Sequence, residues 1–151
     1  MSMEIGEWIL QMKFSEIDPD SWPELQPYLD TCLLPLSGLT GDESPWEATD
    51  KVARTGEWLA PVEQAFRGRT VTMPAFHYDF GGREQLDRLN RLIGSWKSVG
   101  FRYVIVISGQ AVHQEERLNA DLIIRPDSDE GEPDTQRISK LVAELWRKPV
   151  G

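Results

Sequence analysis

The stretch FRYVIVIS, Phe101–Ser108, decides the fold. Its centre is Val104-Ile105-Val106-Ile107, an unbroken β-branched run bounded by Gly100 and Gly109. The run is strand length, and it lacks the alternation of a strand with one wet face. Both faces must therefore be covered, which is the situation of a strand inside a parallel sheet flanked by helices. Upstream, Leu86, Leu89, Ile93 and Trp96 form a helical apolar stripe that Gly100 closes. Downstream, Gly109 leads into a polar helix around His113 to Asn119. DLIIRP, Asp121–Pro126, reads as a further strand, and Ile138, Leu141, Val142 and Leu145 form the last amphipathic helix.

The first half repeats this alternation. DSWPELQPYLD suggests a short helix with Ser21 as its cap, Pro23 early and Pro27 limiting its length. TCLLPLSGL, Thr31–Leu39, is a buried strand ending in a glycine turn, with Pro35 interrupting its ladder. Ser44-Pro45-Trp46-Glu47 is a helix start: Ser44 as N-cap, Pro45 at the first helical position, Glu47 as the capping-box partner. Val52, Leu59, Val62 and Phe66 continue that helix to Gly68, and Pro61 is expected to kink it. RTVTMPAFHY, Arg69–Tyr78, is a second strand, broken by Gly81-Gly82.

Strands alternating with helices predict an α/β fold. We expect a mostly parallel sheet of about four strands with helices on both faces, in three layers. One domain spans 1–151, with residues 1–20 as an N-terminal extension and DSDEGEPD, 127–134, as an acidic loop. Ligands of such sheets sit beyond the carboxyl ends of the strands. The loops Ser37–Pro45, His77–Arg83 and Ser108–His113 should therefore converge on one rim.

Composition narrows the function. Lys and Arg total 16 against 25 Asp and Glu, a formal charge of −9. That charge opposes nucleic acid and anionic membranes, and the basic residues form no stripe. No apolar run approaches the ~18 residues of a membrane span. The N-terminus MSMEIGEWILQMKF lacks the features of a secretion signal. The single cysteine, Cys32, rules out an internal disulfide and reads as a buried structural thiol. These features predict a cytoplasmic protein, and nothing in them opposes a homo-oligomer. Of six tryptophans most should be core, whereas Trp46 stands on the rim as an interaction candidate.

The stretches YLDTCLLPLSGLTG, the helix ending in FRG, and RTVTMPAFHY resemble the YpiF-like family of uncharacterised Bacillus-type proteins, a likeness that implies no particular activity. The element order is also similar to the first half of the creatininase-like amidohydrolases. Those enzymes have a strand ending in Leu-Pro-x-Gly, a loop with Glu and His ligands, and Thr-Asp opening the next helix. Here LLPLSG and Thr49-Asp50 hold those places. Later the family shows Gly-Phe-Arg, an aliphatic strand, then Asn-Gly-His with a Glu two residues on. Here Gly100-Phe101-Arg102 leads through VIVIS to Ser108-Gly109-Gln110. The resemblance implies the scaffold without its metal site. Leu39-Thr40-Gly41 replaces the Glu/His region, Gln110 replaces His, Val112 replaces Glu, and only Asp50 keeps a counterpart. A two-metal hydrolytic centre needs several His and carboxylate ligands, and the chain has two histidines. No metal and no other cofactor is expected.

The ligand-binding candidates are Asp42 and Asp50 near the first helix, His77 and Asp79 at the second strand's end, and Ser108, Gln110 and His113 after the third. Ser108 lacks the Gly-x-Ser-x-Gly context of a strand-end nucleophile. No phosphate-binding glycine motif occurs. The balance leans away from an enzyme, toward a non-catalytic domain binding a protein or small molecule at the rim. The alternative is a hydrolase with a reduced mononuclear or metal-free site built from Asp50, His77, Asp79 and His113.

Overall fold

The computed structural model describes residues 12–110, 118–128 and 131–148. In chain order the elements are β1 (Met12–Lys13), a 3-10 turn (Phe14–Glu16), α1 (Trp22–Leu25), β2 (Thr31–Leu39), α2 (Pro45–Ala65), β3 (Thr70–Thr72), β4 (Phe76–Tyr78), α3 (Gly82–Ser98), β5 (Tyr103–Ser108), β6 (Leu122–Ile124) and α4 (Thr135–Arg147).

β5 is buried along its whole length. It pairs in parallel with β2 from Thr31↔Tyr103 to Leu36↔Ser108, and with β6 on its other side. Every pairing in the sheet is parallel, in the order β1-β3-β2-β5-β6, with β4 also on β2. Side chains alternate between two cores. Cys32, Leu34, Leu36, Val104 and Val106 pack with Leu86, Leu89, Ile93 and Trp96 of α3 and Leu25 of α1. Leu33, Tyr103, Ile105 and Ile107 pack with Trp58, Leu59 and Val62 of α2 and Ile138, Val142 and Leu145 of α4. The fold is thus α/β with helices on both faces. Each of these aliphatic side chains contributes roughly 1.5–3 kcal/mol by leaving water. Cys32 is fully buried, and burial alone pushes its thiol well above the ordinary range.

RTVTMPAFHY is not one strand but two, β3 and β4, on the same edge of β2. The cause lies in two prolines. Met73 N–H donates to Leu33 O at 2.9 Å, so the polar groups of Leu33 face this edge. By strand alternation the nitrogen of Pro35 faces the same way. It has no hydrogen to give, and the partner segment around Pro74 leaves the ladder there. Beyond it Gly38, at φ 73°, lies where the register with β4 shifts. A bulge there needs the positive φ that glycine permits.

α2 starts as expected: Ser44 Oγ accepts from Glu47 N, and the Glu47 carboxylate accepts from Ser44 N. Pro61 is carried inside the helix without ending it. α1 corrects an expectation. Ser21 occupies the cap position but makes no side-chain cap bond. Instead Asp18 Oδ1 accepts from Ser21 N, Ser21 Oγ and Asp20 N. β1 adds an edge strand within the expected N-terminal extension, residues 1–20. Of the helix expected around His113 to Asn119, residues 111–117 lie outside the described residues, and Leu118 and Asn119 are not helical.

At the N-terminal edge of the sheet a polar latch joins distant segments. Arg69 donates to both oxygens of Asp30, at 2.8 and 3.2 Å. Its guanidinium lies 3.9 Å from the Trp146 ring centre. Trp146 Nε1 donates to Thr31 Oγ at 3.0 Å, which donates in turn to Asp30 Oδ1. Arg69→Met should strip Asp30 of its partner and lower the unfolding free energy by about 1–3 kcal/mol. Urea denaturation should show this as a lower midpoint with an unchanged slope.

Candidate functional site

The carboxyl ends of β2, β4 and β5 are neighbours, so the three loops meet. A Cβ on Gly38 would lie 3.3 Å from Gln110 Cγ, and one on Gly41 would lie 3.4 Å from the Phe80 ring. Asp79 N–H donates to Leu39 O at 2.9 Å. α2 fastens this rim from one side. Thr55 Oγ accepts from Gly109 N at 3.1 Å, and Arg54 Nε donates to Gly109 O at 2.8 Å. Gly109 is irreplaceable here, because a Cβ would lie 2.6 Å from the Arg54 carbonyl carbon and the Thr55 nitrogen.

The first loop is closed by Glu43, the neighbour of the candidate Asp42. Its carboxylate accepts from Thr40 N, Thr40 Oγ and Gly41 N, and it meets Lys51 Nζ at 2.7 Å. The Lys51 ammonium, followed by the Thr40 amide, holds the Glu43 carboxyl far below the usual range. These bonds fill the carboxylate's accepting positions, so Glu43 shapes the loop. Asp42 beside it is exposed, as is Asp50 on α2.

His77 finds a partner that spacing did not reveal. Its Nδ1 lies 2.9 Å from Ser37 Oγ across the β2–β4 pair. Ser37 is 1% exposed, while His77 is largely exposed. Both line a cavity of about 230 Å³ between α2 and the β2–β4 edge of the sheet. Val52, Gly56 and Leu59 of α2 form one wall, Pro35, Met73 and Ala75 another, and Phe14 the end nearest β1. The cavity is apolar apart from the Ser37–His77 pair, Thr55, Thr72 and Lys13. Thr72 and Lys13 are both engaged by Glu63, at 2.7 and 3.4 Å. Gly56 lies exposed in mid-helix, and a Cβ there would meet nothing within 4 Å.

The other candidates go elsewhere. Asp79 Oδ1 accepts from Gly81 N at 2.8 Å and so shapes its own turn. Ser108, 1% exposed, accepts from Gln110 N at 3.0 Å. Gln110 lies over Gly38, Trp46 is 71% exposed, and His113 lies outside the described residues. Among the described residues no three His, Cys, Asp or Glu side chains gather so that they could hold a metal ion. A larger hollow of about 460 Å³ lies between β6 and α4. There Asp127 pairs with Arg137, and Asp134 caps α4 by accepting from Gln136 N and Arg137 N.

The Glu43 loop has a defined acid response. Its folded pKa lies below the unfolded value of about 4.3, so its contribution is complete above that pH and is lost as pH falls through the depressed value. Glu43→Gln should therefore lower the Tm at pH 7, and the gap to the parent should close on acidification. Thermal unfolding at a series of pH values checks this.

Among the described residues no helix is long and apolar enough to cross a membrane. No curated protein and no solved structure matches the chain. Residues 20–147 match one protein family, covering the sheet from β2 to β6 and all the helices. The chain belongs to that family, described as a protein of unknown function (DUF2487).

Proposed function

We propose that the protein is a non-catalytic binding domain whose small-molecule site is the cavity between α2 and the β2–β4 edge. The observation that carries this is the Ser37–His77 pair in the wall of a mainly apolar cavity whose Thr72 and Lys13 are already engaged by Glu63. Such a site suits a compact ligand with an apolar body and one hydrogen-bonding head. A creatininase-like scaffold stripped of its ligands, and the YpiF-like likeness, fit a binding role and stay part of this proposal.

The runner-up is a metal-free hydrolase, favoured by the same hydrogen bond. Ser37 would be the nucleophile and His77 the base. Two features weigh against it. The hydroxyl is almost wholly buried, and the neighbouring carboxylate, Asp79, is bonded to Gly81 N rather than to His77.

Benzyl alcohol and benzamide, each a ring with one polar head, serve as probes. Their titration should shift the amide resonances of Ser37, Gly56 and His77. Gly56→Leu should fill the chamber and abolish the shifts, and Ser37→Ala should weaken affinity about three- to tenfold. Gly56→Ala should raise stability by about 0.5–1 kcal/mol. Probe binding that survives Gly56→Leu unchanged would sink the assignment. Turnover of 4-nitrophenyl acetate that is lost with Ser37→Ala would favour the hydrolase.

A further inference from the structure

We infer that the strand-end rim is a docking surface for a basic segment of another protein. The inference rests on residues other than those of the cavity. Trp46, Tyr78 and Phe80 are 71%, 53% and 74% exposed. Single exposed apolar side chains need no explanation, but these belong to adjoining loops of one edge. Tyr78 and Phe80 are already stacked, with ring centres 6.2 Å apart and planes at 21°. Trp46 stands in the first turn of α2, just beyond the loop that Phe80 touches at Gly41.

The backbone beneath these rings is fixed. Glu43 closes one loop, the Asp79–Gly81 bond shapes the other, and the Asp79–Leu39 bond ties them together. An ordered aromatic platform loses little freedom when a partner settles on it.

Charge selects the occupant. Asp42, Glu47, Asp50 and Asp79 lie in or beside these loops against the single exposed cation among the described residues there, Arg83, and the nearby Lys51 is already paired with Glu43. On a chain of net charge −9 this edge repels nucleic acid, anionic lipid and a second copy of itself. Lysine and arginine side chains suit it twice, lying over the ring faces and meeting the carboxylates. The occupant is therefore an extended, Lys/Arg-containing peptide segment.

Nona-arginine, titrated at 150 mM salt as judged by the ~8 Å screening length there, is the probe, with nona-glutamate as control. Amide and indole shifts should centre on Trp46, Tyr78 and Phe80. Trp46→Gln combined with Phe80→Ser should reduce affinity about tenfold while leaving the urea midpoint in place. Asp42→Asn with Asp50→Asn should reduce it further and flatten its salt dependence. Shifts spread evenly over the molecule's carboxylates would overturn the proposal, as would affinity unchanged in the aromatic variant or equal binding of nona-glutamate. So would a wild-type dimer, seen by sedimentation, that the aromatic variant abolishes. Should the double variant unfold, Phe80→Ser alone carries the test, and undiminished affinity in it overturns the assignment.

Discussion

Burial of β2 and β5 on both faces is the constraint from which the rest follows. Leu33, Leu34, Val104, Ile105 and Ile107 have no exposed surface, so neither strand has a side that could face water. Such strands need a helical layer above and another below. The chain supplies them with α1 and α3 on one side and α2 and α4 on the other. Parallel pairing then places every strand's carboxyl end at the same edge, which is why loops distant in sequence share a rim.

The two edges of the sheet are held by different chemistry. At the amino edge, Arg69, Asp30, Thr31 and Trp146 interlock through charge and aromatic contact. At the carboxyl edge, fastening falls to the backbone of Gly109 against Arg54 and Thr55, and to Glu43 within its own loop. The upper edge thus keeps its shape while leaving Trp46, Tyr78 and Phe80 in water. The tryptophans divide accordingly. Trp58 and Trp96 are buried, Trp22 packs against Phe101, and Trp146 packs against Phe66 and Arg69. Trp46 alone among the described ones stays mostly exposed.

Local patterns carried most of the fold. The Val104–Ile107 run, the Leu86–Trp96 stripe and the Ser44–Glu47 capping box each lie within a single element or at its start, so reading them needs no knowledge of distant partners. The break between β3 and β4 depends on Pro35 of β2 standing beside the segment that holds Pro74, and neither proline shows this alone. β1 is too short to have a pattern. The meeting of the β2 and β4 loops was legible because both follow parallel strands. The cavity was not, since Ser37 and His77 are 40 positions apart and their bond depends on the β2–β4 register. Glu43 looked like an available carboxylate because nothing in its neighbours' identity shows that their amides point at it.

Cys32 carries a consequence for the molecule's handling. The chain's one thiol lies near the start of β2 with no exposed surface, and burial raises its pKa, favouring the protonated form. Alkylating reagents attack the thiolate, so native protein offers them neither access nor the reactive form. Labelling must wait until β2 leaves the sheet. One covalent mark per molecule thereby becomes a stopwatch for opening of the whole core, without an introduced probe.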